Sequence, residues 1–377
     1  MNKKQLRCRT MTYDWGKIGE KSVVYDLLRS GGLDQLDPQT PYAELWMGDH
    51  DKAPSLCLEG KRICDICCEK LPFLFKVLSV NKPLSIQVHP SKDLAGKFHN
   101  MDPTNFPDSN HKPEMAIFIH NSVLLCGFRP YEDIISFLRA FPEFYYVCGS
   151  ENSKEFIENP SDFGLKKLVQ GLLSNSSSII KENAILLKRS VESSSIDKIS
   201  DVITALSYIV PFFPYDVGMF FPLFLNIIFG TPGTAIFIPH GVLHAYLSGD
   251  LFEAMTVSDN VVRAGMTPKY IDQEKLIQAV VFEHQPPHYI YPQEFGNILE
   301  YVPPTPEFKV IRVSMNANEV KSLELCRASI MIVMDGNGTI GGTSLKRGVI
   351  ILFSKNSNVE LISEDSLDCF FCTCGNE

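Results

Sequence analysis

Three short runs carry the residues whose types and spacing could do chemistry. In Leu84-Ser85-Ile86-Gln87-Val88-His89 polar and apolar residues alternate strictly. Side chains of a strand alternate between its faces, so Ser85, Gln87 and His89 share one face and Leu84, Ile86 and Val88 the other. A strand with one solvated face would show the same alternation, so this run means little alone. In Asn110-His111-Lys112-Pro113-Glu114, Lys112 and Glu114 are two residues apart and point the same way, with Pro113 tolerable at a strand start. In Leu243-His244-Ala245-Tyr246-Leu247, His244 and Tyr246 share a face. Gln87, His89, Glu114 and His244 together offer two imidazoles, a carboxylate and an amide oxygen from three separate strands. Such a set suits a borderline divalent ion, with zinc ahead of manganese, iron or nickel.

Other polar residues follow the third run. Glu253 is succeeded by Ser258-Asp259-Asn260-Val261-Val262-Arg263-Ala264-Gly265, which ends in a lone arginine before a glycine. One motif misleads. Gly336-Asn337-Gly338-Thr339-Ile340-Gly341 matches G-x-G-x-x-G, but the residues after it read as a strand where a dinucleotide site requires a helix, so a hairpin is expected. The chain contains no G-x-S-x-G and no G-x-x-x-x-G-K-[ST], which removes support for hydrolase and P-loop readings.

These residues need strands to bring them together. Residues 71–130 read as strands with turns between them, and 98–110, rich in Pro, Asn and Asp, reads as loop. Residues 131–205 switch to helical spacing, with serine-rich linkers at 174–178 and 193–195. Residues 208–230 are apolar but hold Pro211, Pro214, Asp216 and Pro222, which argues for buried loop and strand over a membrane span. Strands resume at 225–228 and 235–238. Residues 272–282 form a helix with Asp272 as N-cap, and from about 290 short strands recur at spacings suited to a sandwich or barrel. The organisation expected is a discontinuous β domain (1–130 and 229–290), a helical insertion (131–228) and a C-terminal β domain (291–377).

Composition fits that picture. A chain of 377 residues is long enough for two or three domains, and 45% hydrophobic with 21% charged residues excludes wholesale disorder. A net charge of -9 speaks against nucleic-acid binding, while leaving room for a small anionic substrate. The first residues carry no apolar signal region, and the cysteines number eleven, an odd count. Reduced thiols in the cytoplasm are therefore expected, with no membrane partner. Cys64 and Cys67 have metal-knuckle spacing but lack a second pair at the usual interval.

At these runs the chain resembles the type I mannose-6-phosphate isomerases. The resemblance takes in Tyr13-Asp14-Trp15-Gly16, Pro41-Tyr42-Ala43-Glu44-Leu45-Trp46-Met47-Gly48, Ser85 to Pro90, Asn110 to Ala116, Cys126-Gly127-Phe128-Arg129-Pro130, His244 to Leu247, Ser258 to Gly265 and Thr267-Pro268-Lys269. It implies cupin-type, jelly-roll β domains with a helical insertion. It also implies one zinc ion on Gln87, His89, Glu114 and His244, an active-site role for Arg263, and interconversion of mannose 6-phosphate and fructose 6-phosphate for GDP-mannose and glycan synthesis. Departures from the family pattern are Val88, Asp14, and Gly241-Val242-Leu243, which lacks a proline before His244.

An aldose–ketose isomerase must move a proton between C1 and C2 through a cis-enediolate. Arg263 is the expected stabiliser of its charge, since guanidinium stays ionised and reaches two oxygens. The base is open among Glu253, Asp259 and Lys112. His111 could assist ring opening if Pro113 bends the chain, Tyr246 is placed to touch substrate, and Ser85, Lys76 and Lys269 are candidates for the phosphate. The expected partner is a sugar-phosphate substrate, and the protein is expected to be a monomer. A cupin metal oxygenase and a non-catalytic sugar-binding cupin are the alternatives.

Overall fold

In a computed structural model, residues 3–375 are described. Two large sheets hold most of the strands, one of eleven and one of ten. The eleven-stranded sheet runs from His288–Ile290 through Ala235–Ile238, Glu114–Phe118, His244–Thr256, Phe73–Val80 and Glu44–Met47 to Arg9–Met11. The strand His244–Thr256 is its hub. Its later half lies between Phe73–Val80 and Glu114–Phe118. Its earlier half pairs with Ser122–Phe128, and His244 itself stands opposite Gln87 of Ile86–Val88. Ile86–Val88 also pairs with Val262–Gly265, which sets Arg263 opposite Gln87. Three of the runs singled out in the sequence thus become neighbours through backbone register alone.

The strand Phe73–Val80 is buried along its whole length, as a strand covered on both faces must be. Its two polar residues are matched across the ladder: Lys76 faces Glu253 and Ser79 faces Asp250. The Ser79 hydroxyl donates to Asp250 Oδ1 at 2.6 Å.

The helical segment comprises Tyr131–Ala140, Pro142–Val147, Ser150–Glu158, Asp162–Leu173, Ser177–Ser193 and Ile199–Ile209, followed by a 3₁₀ stretch Val217–Leu223. Ser161 and Ser176 cap two of these helices through their hydroxyls. Phe137, Leu168, Leu187 and Leu206 build a core that continues without a break into Ile86, Val88, Leu125 and Val262. The helices therefore back the strands that carry Gln87 and Arg263. Asp216 fastens the two parts: its Oδ1 accepts from the backbone of Gly218 at 2.7 Å and of Met266 at 2.8 Å. A Cβ on Gly265 would lie 2.8 Å from that same oxygen, so only glycine fits there.

The ten-stranded sheet contains most of the C-terminal strands, and Lys3–Arg7 joins it by pairing with Ile350–Phe353. One face encloses Val313, Val333, Phe353 and Phe371. The other packs on the first sheet, with the rings of Phe252 and Phe370 4.5 Å apart.

Two expectations need correction and one turn can be checked. Residues 98–110 are not all loop, because the helix Lys92–Met101, capped by Ser91, buries Ala95 and Phe98. Residues 208–230 include the end of a helix and the 3₁₀ stretch as well as the strand Leu225–Gly230. The glycine-rich motif lies in a hairpin of Ser329–Ile340 with Thr343–Lys346, its turn made by Gly341 and Gly342 at φ 46° and 77°. No described helix is long and apolar enough to cross a membrane.

Candidate active site

Donor atoms of His89, Glu114 and His244 lie within 4.8 Å of one another, and all three side chains are fully buried. His89 Nε2 is 3.3 Å from Glu114 Oε1, and His244 Nε2 is 3.4 Å from Glu114 Oε2. The other nitrogen of each ring is already engaged. His89 Nδ1 is 2.7 Å from the carbonyl of Asn260, and His244 Nδ1 is 2.9 Å from the carbonyl of Val242. A carbonyl only accepts, so each Nδ1 carries the proton and each Nε2 turns a lone pair inward, the arrangement metal-ligating imidazoles take. His244 Nε2 and Glu114 Oε2 have no hydrogen-bond partner. Orphaned acceptors at full burial are costly unless a cation meets them. Zinc bonds to nitrogen and oxygen are near 2 Å, so its donors must lie a few ångströms apart, as these three do within 4.8 Å. The pocket fits a zinc ion.

Electrostatics point the same way. Burial, together with the Lys112 ammonium, pulls the His89 pKa down to about 4, so the ring is neutral near pH 7. Burial pushes the Glu114 carboxyl up, yet the Lys112 ammonium outweighs it and holds it well below the usual carboxylate range. The Lys112 ammonium donates to Glu114 Oε1 and lies 3.5 Å from His89 Nε2.

Beside this cluster opens a cleft of about 660 Å³. Gln87 and Lys112 form its floor towards the cluster, with Arg263, Ser85, Lys76, Glu253 and Lys269 also on its walls. Burial lowers the pKa of Arg263, whose guanidinium nonetheless stays charged at neutral pH, and it makes no ion pair among the described residues. Lys76 donates to Glu253 Oε2 at 2.8 Å, lies 3.8 Å from Glu44 and sits 4.9 Å from the centre of the Trp46 ring. All four side chains are buried. Burial pushes the Glu44 carboxyl up against the pull of Lys76. Tyr246 is buried behind the cluster, and burial, with Glu253 and Glu114 nearby, raises its phenol.

Gln87, Glu253, Lys112, Ser85, Lys76, Lys269 and Arg263 thus share one cleft wall with the metal pocket behind it. Three expectations change. Asp259 is absent from the cleft lining; it pairs with Lys52 at 2.8 Å and His50 at 3.4 Å, which outweigh its burial and hold its carboxyl well below the usual range. A carboxylate outside the cleft has no access to the sugar, so it is not the base. His111 turns away and places Nε2 2.8 Å from Glu307 at the start of the C-terminal strands. Lys76 lines the cleft, but its charge is spent on two carboxylates, so it is a poor phosphate ligand. Glu44, Trp46 and Asn260 lie in runs quoted above, but the sequence assigns them no role. A glutamate inside the apolar run Glu44–Met47 was the available signal for the first, since a buried carboxylate needs a cation.

Antiparallel strands that gather His, His and Glu around a buried point beside a polar cleft define a cupin-type metalloenzyme. Residues 4–131 match the model for the type I phosphomannose isomerase catalytic domain. The mannose-6-phosphate isomerase of Bos taurus is 36% identical over 398 residues, and that of Candida glabrata 37% over 402, each alignment covering 94% of both chains. A solved mannose 6-phosphate isomerase bound with zinc and yttrium superposes with a TM-score of 0.86 at 28% identity, over 100% of both chains. A histidine-to-alanine variant of phosphomannose isomerase from Salmonella typhimurium does so with a TM-score of 0.87 at 27% identity, again over the whole of both chains. The chain belongs to the type I phosphomannose isomerase family. It is an isomerase whose His89, Glu114 and His244 could hold a metal ion, and the relatives favour neither the oxygenase nor the binding-protein alternative.

Proposed function

We propose that this enzyme interconverts D-mannose 6-phosphate and D-fructose 6-phosphate through a cis-enediolate, supplying mannose for GDP-mannose and glycan synthesis. The observation that carries the reading is the buried His89, Glu114 and His244 set, adjoining through Gln87 and Lys112 a cleft where Arg263 has no anionic partner among the described residues. Gln87, His89, Glu114 and His244 hold the zinc. When bound, the ion supplies a Lewis acid for the sugar oxygens.

The chain's own residues do the rest. Arg263 stabilises the negative charge that develops on O1 and O2, as a fixed cation that need not reorganise. Glu253 moves the proton between C1 and C2, since it lines the cleft, which Asp259 does not, and Lys76 holds it in place. Lys112 binds a substrate oxygen while keeping Glu114 ionised. Tyr246, buried and outside the cleft lining, backs Glu253 and Glu114. Ser85 and Lys269 face the phosphate. The eleven free cysteines suit a reducing compartment, in keeping with a cytoplasmic enzyme.

A coupled assay tests this reading. Mannose 6-phosphate should yield fructose 6-phosphate, chelation should abolish the activity, and added zinc should restore it. Oxygen consumption without isomerisation would overturn it.

A further inference from the structure

The mouth of the cleft holds a charge pair that the reaction does not use. The backbone N–H groups of Asn81 and Lys82 both donate to the carbonyl of Trp15 at 3.0 Å, which fixes the turn Tyr13-Asp14-Trp15 beside Lys82. Lys82 Nζ donates to Asp14 Oδ2 at 3.0 Å and lies 5.9 Å from the centre of the Phe212 ring, which comes from the helical segment. Both charged side chains line the same cleft as Ser85, Arg263 and Lys269.

The cleft cations differ in how firmly they are held. Lys76 and Lys112 are buried and each is tied to a buried carboxylate. Lys82 instead faces Asp14, whose side chain is 87% exposed. An ion pair open to water is worth little, so a better anion displaces it. A phosphoryl group carries up to two charges and three strong acceptor oxygens, and outcompetes a single solvated carboxylate. An unphosphorylated sugar has nothing with which to displace Asp14.

We propose that Lys82 is a phosphate-binding residue at the rim of the cleft, and that Asp14, by holding Lys82 when the cleft is empty, makes the site selective for phosphorylated over unphosphorylated sugars. This rests on the reading of the substrate as a sugar phosphate. Lys82 exchanges its bond to Asp14 for one to the phosphoryl oxygens, and Asp14 is released to water at small cost because it is already exposed.

The test measures binding of inorganic phosphate to the zinc-loaded enzyme by tryptophan fluorescence, since Trp15 lines the cleft, alongside steady-state kinetics. Lys82→Met should raise the phosphate Kd and the KM for mannose 6-phosphate about 5- to 20-fold, with kcat changed less than about twofold and Lys82→Arg recovering most of the affinity. Asp14→Asn should tighten phosphate binding about 3-fold. Unchanged phosphate affinity in Lys82→Met, weaker affinity in Asp14→Asn, or no saturable phosphate binding to the wild type would each overturn the proposal. Phosphate binding that depends on Lys82 in an enzyme unable to isomerise mannose 6-phosphate would instead overturn the proposed function and leave the rim site standing.

Discussion

At the scale of single residues, the site is organised by which charges are matched and which are left over. Lys76 is shared between Glu253 and Glu44, and Lys112 belongs to Glu114. Arg263 is half-buried in the cleft wall and makes no ion pair among the described residues. Its loss should remove charge stabilisation from the transition state and little else. Arg263→Ala is expected to lower kcat at least ~100-fold while the thermal unfolding midpoint stays near that of the wild type, as steady-state kinetics and calorimetry would measure. Glu253→Gln is expected to lower kcat by ~100-fold or more with KM changed far less, because it removes the proton-transfer group and keeps its shape. Wild-type turnover in either variant would remove that residue from the mechanism. Asp259 serves a different end. Its depressed carboxyl pKa means that the folded state binds fewer protons than the unfolded one near pH 4. Its contribution is therefore complete above about pH 4 and is lost as pH falls through the lower folded value. Asp259→Asn should destabilise the protein at pH 7, and the difference should shrink on acid titration followed by circular dichroism.

Elements explain why the four candidate ligands, distant along the chain, converge. The alternation in Leu84 to His89 was legible as a strand, and so was its polar face. The pairing of that strand was not: nothing local in the sequence says that Gln87 lies opposite both His244 and Arg263. Register is a property of two chains of backbone, and only the hydrophobic faces that must meet decide it. The supporting loop was equally hidden. Asn260 is fully buried and its amide donates to Asp108 and Asn110, while its carbonyl meets His89 Nδ1. An asparagine in a polar run looks like surface until that network is seen. Asn260→Ala is expected to cost about 2 kcal/mol of stability, the usual penalty of a broken buried network, and to weaken zinc retention about tenfold by loosening the orientation of His89. Dialysis against a chelator with metal analysis measures the second effect. His111 was misjudged for a related reason, since its partner Glu307 is 196 residues away.

At the scale of the whole molecule, the helical insertion and the two β regions were readable from the change of period at 131 and its return near 225. We propose the division 1–130 with 229–290, 131–228 and 291–377 as the working units, with the first strand exchanged into the C-terminal sheet. These units share a core. Phe75, Phe252, Phe308, Ile330 and Phe370 form one buried cluster across both sheets. Calorimetry should therefore show a single unfolding transition, and Phe370→Ala should cost about 3–5 kcal/mol and lower the midpoint of the whole chain, as large-to-small core changes do. A split transition would separate the sheets energetically. The central claim is that one buried cation joins distant runs of the first unit, held by His89, Glu114 and His244. Zinc per chain after exhaustive dialysis, compared between the wild type and His244→Ala, tests it most directly. About one ion per chain in the wild type and less than about a tenth of that in the variant is the expected result, given three or four protein ligands per site. Equal zinc in the two proteins, or a fully active wild type with none, would contradict it.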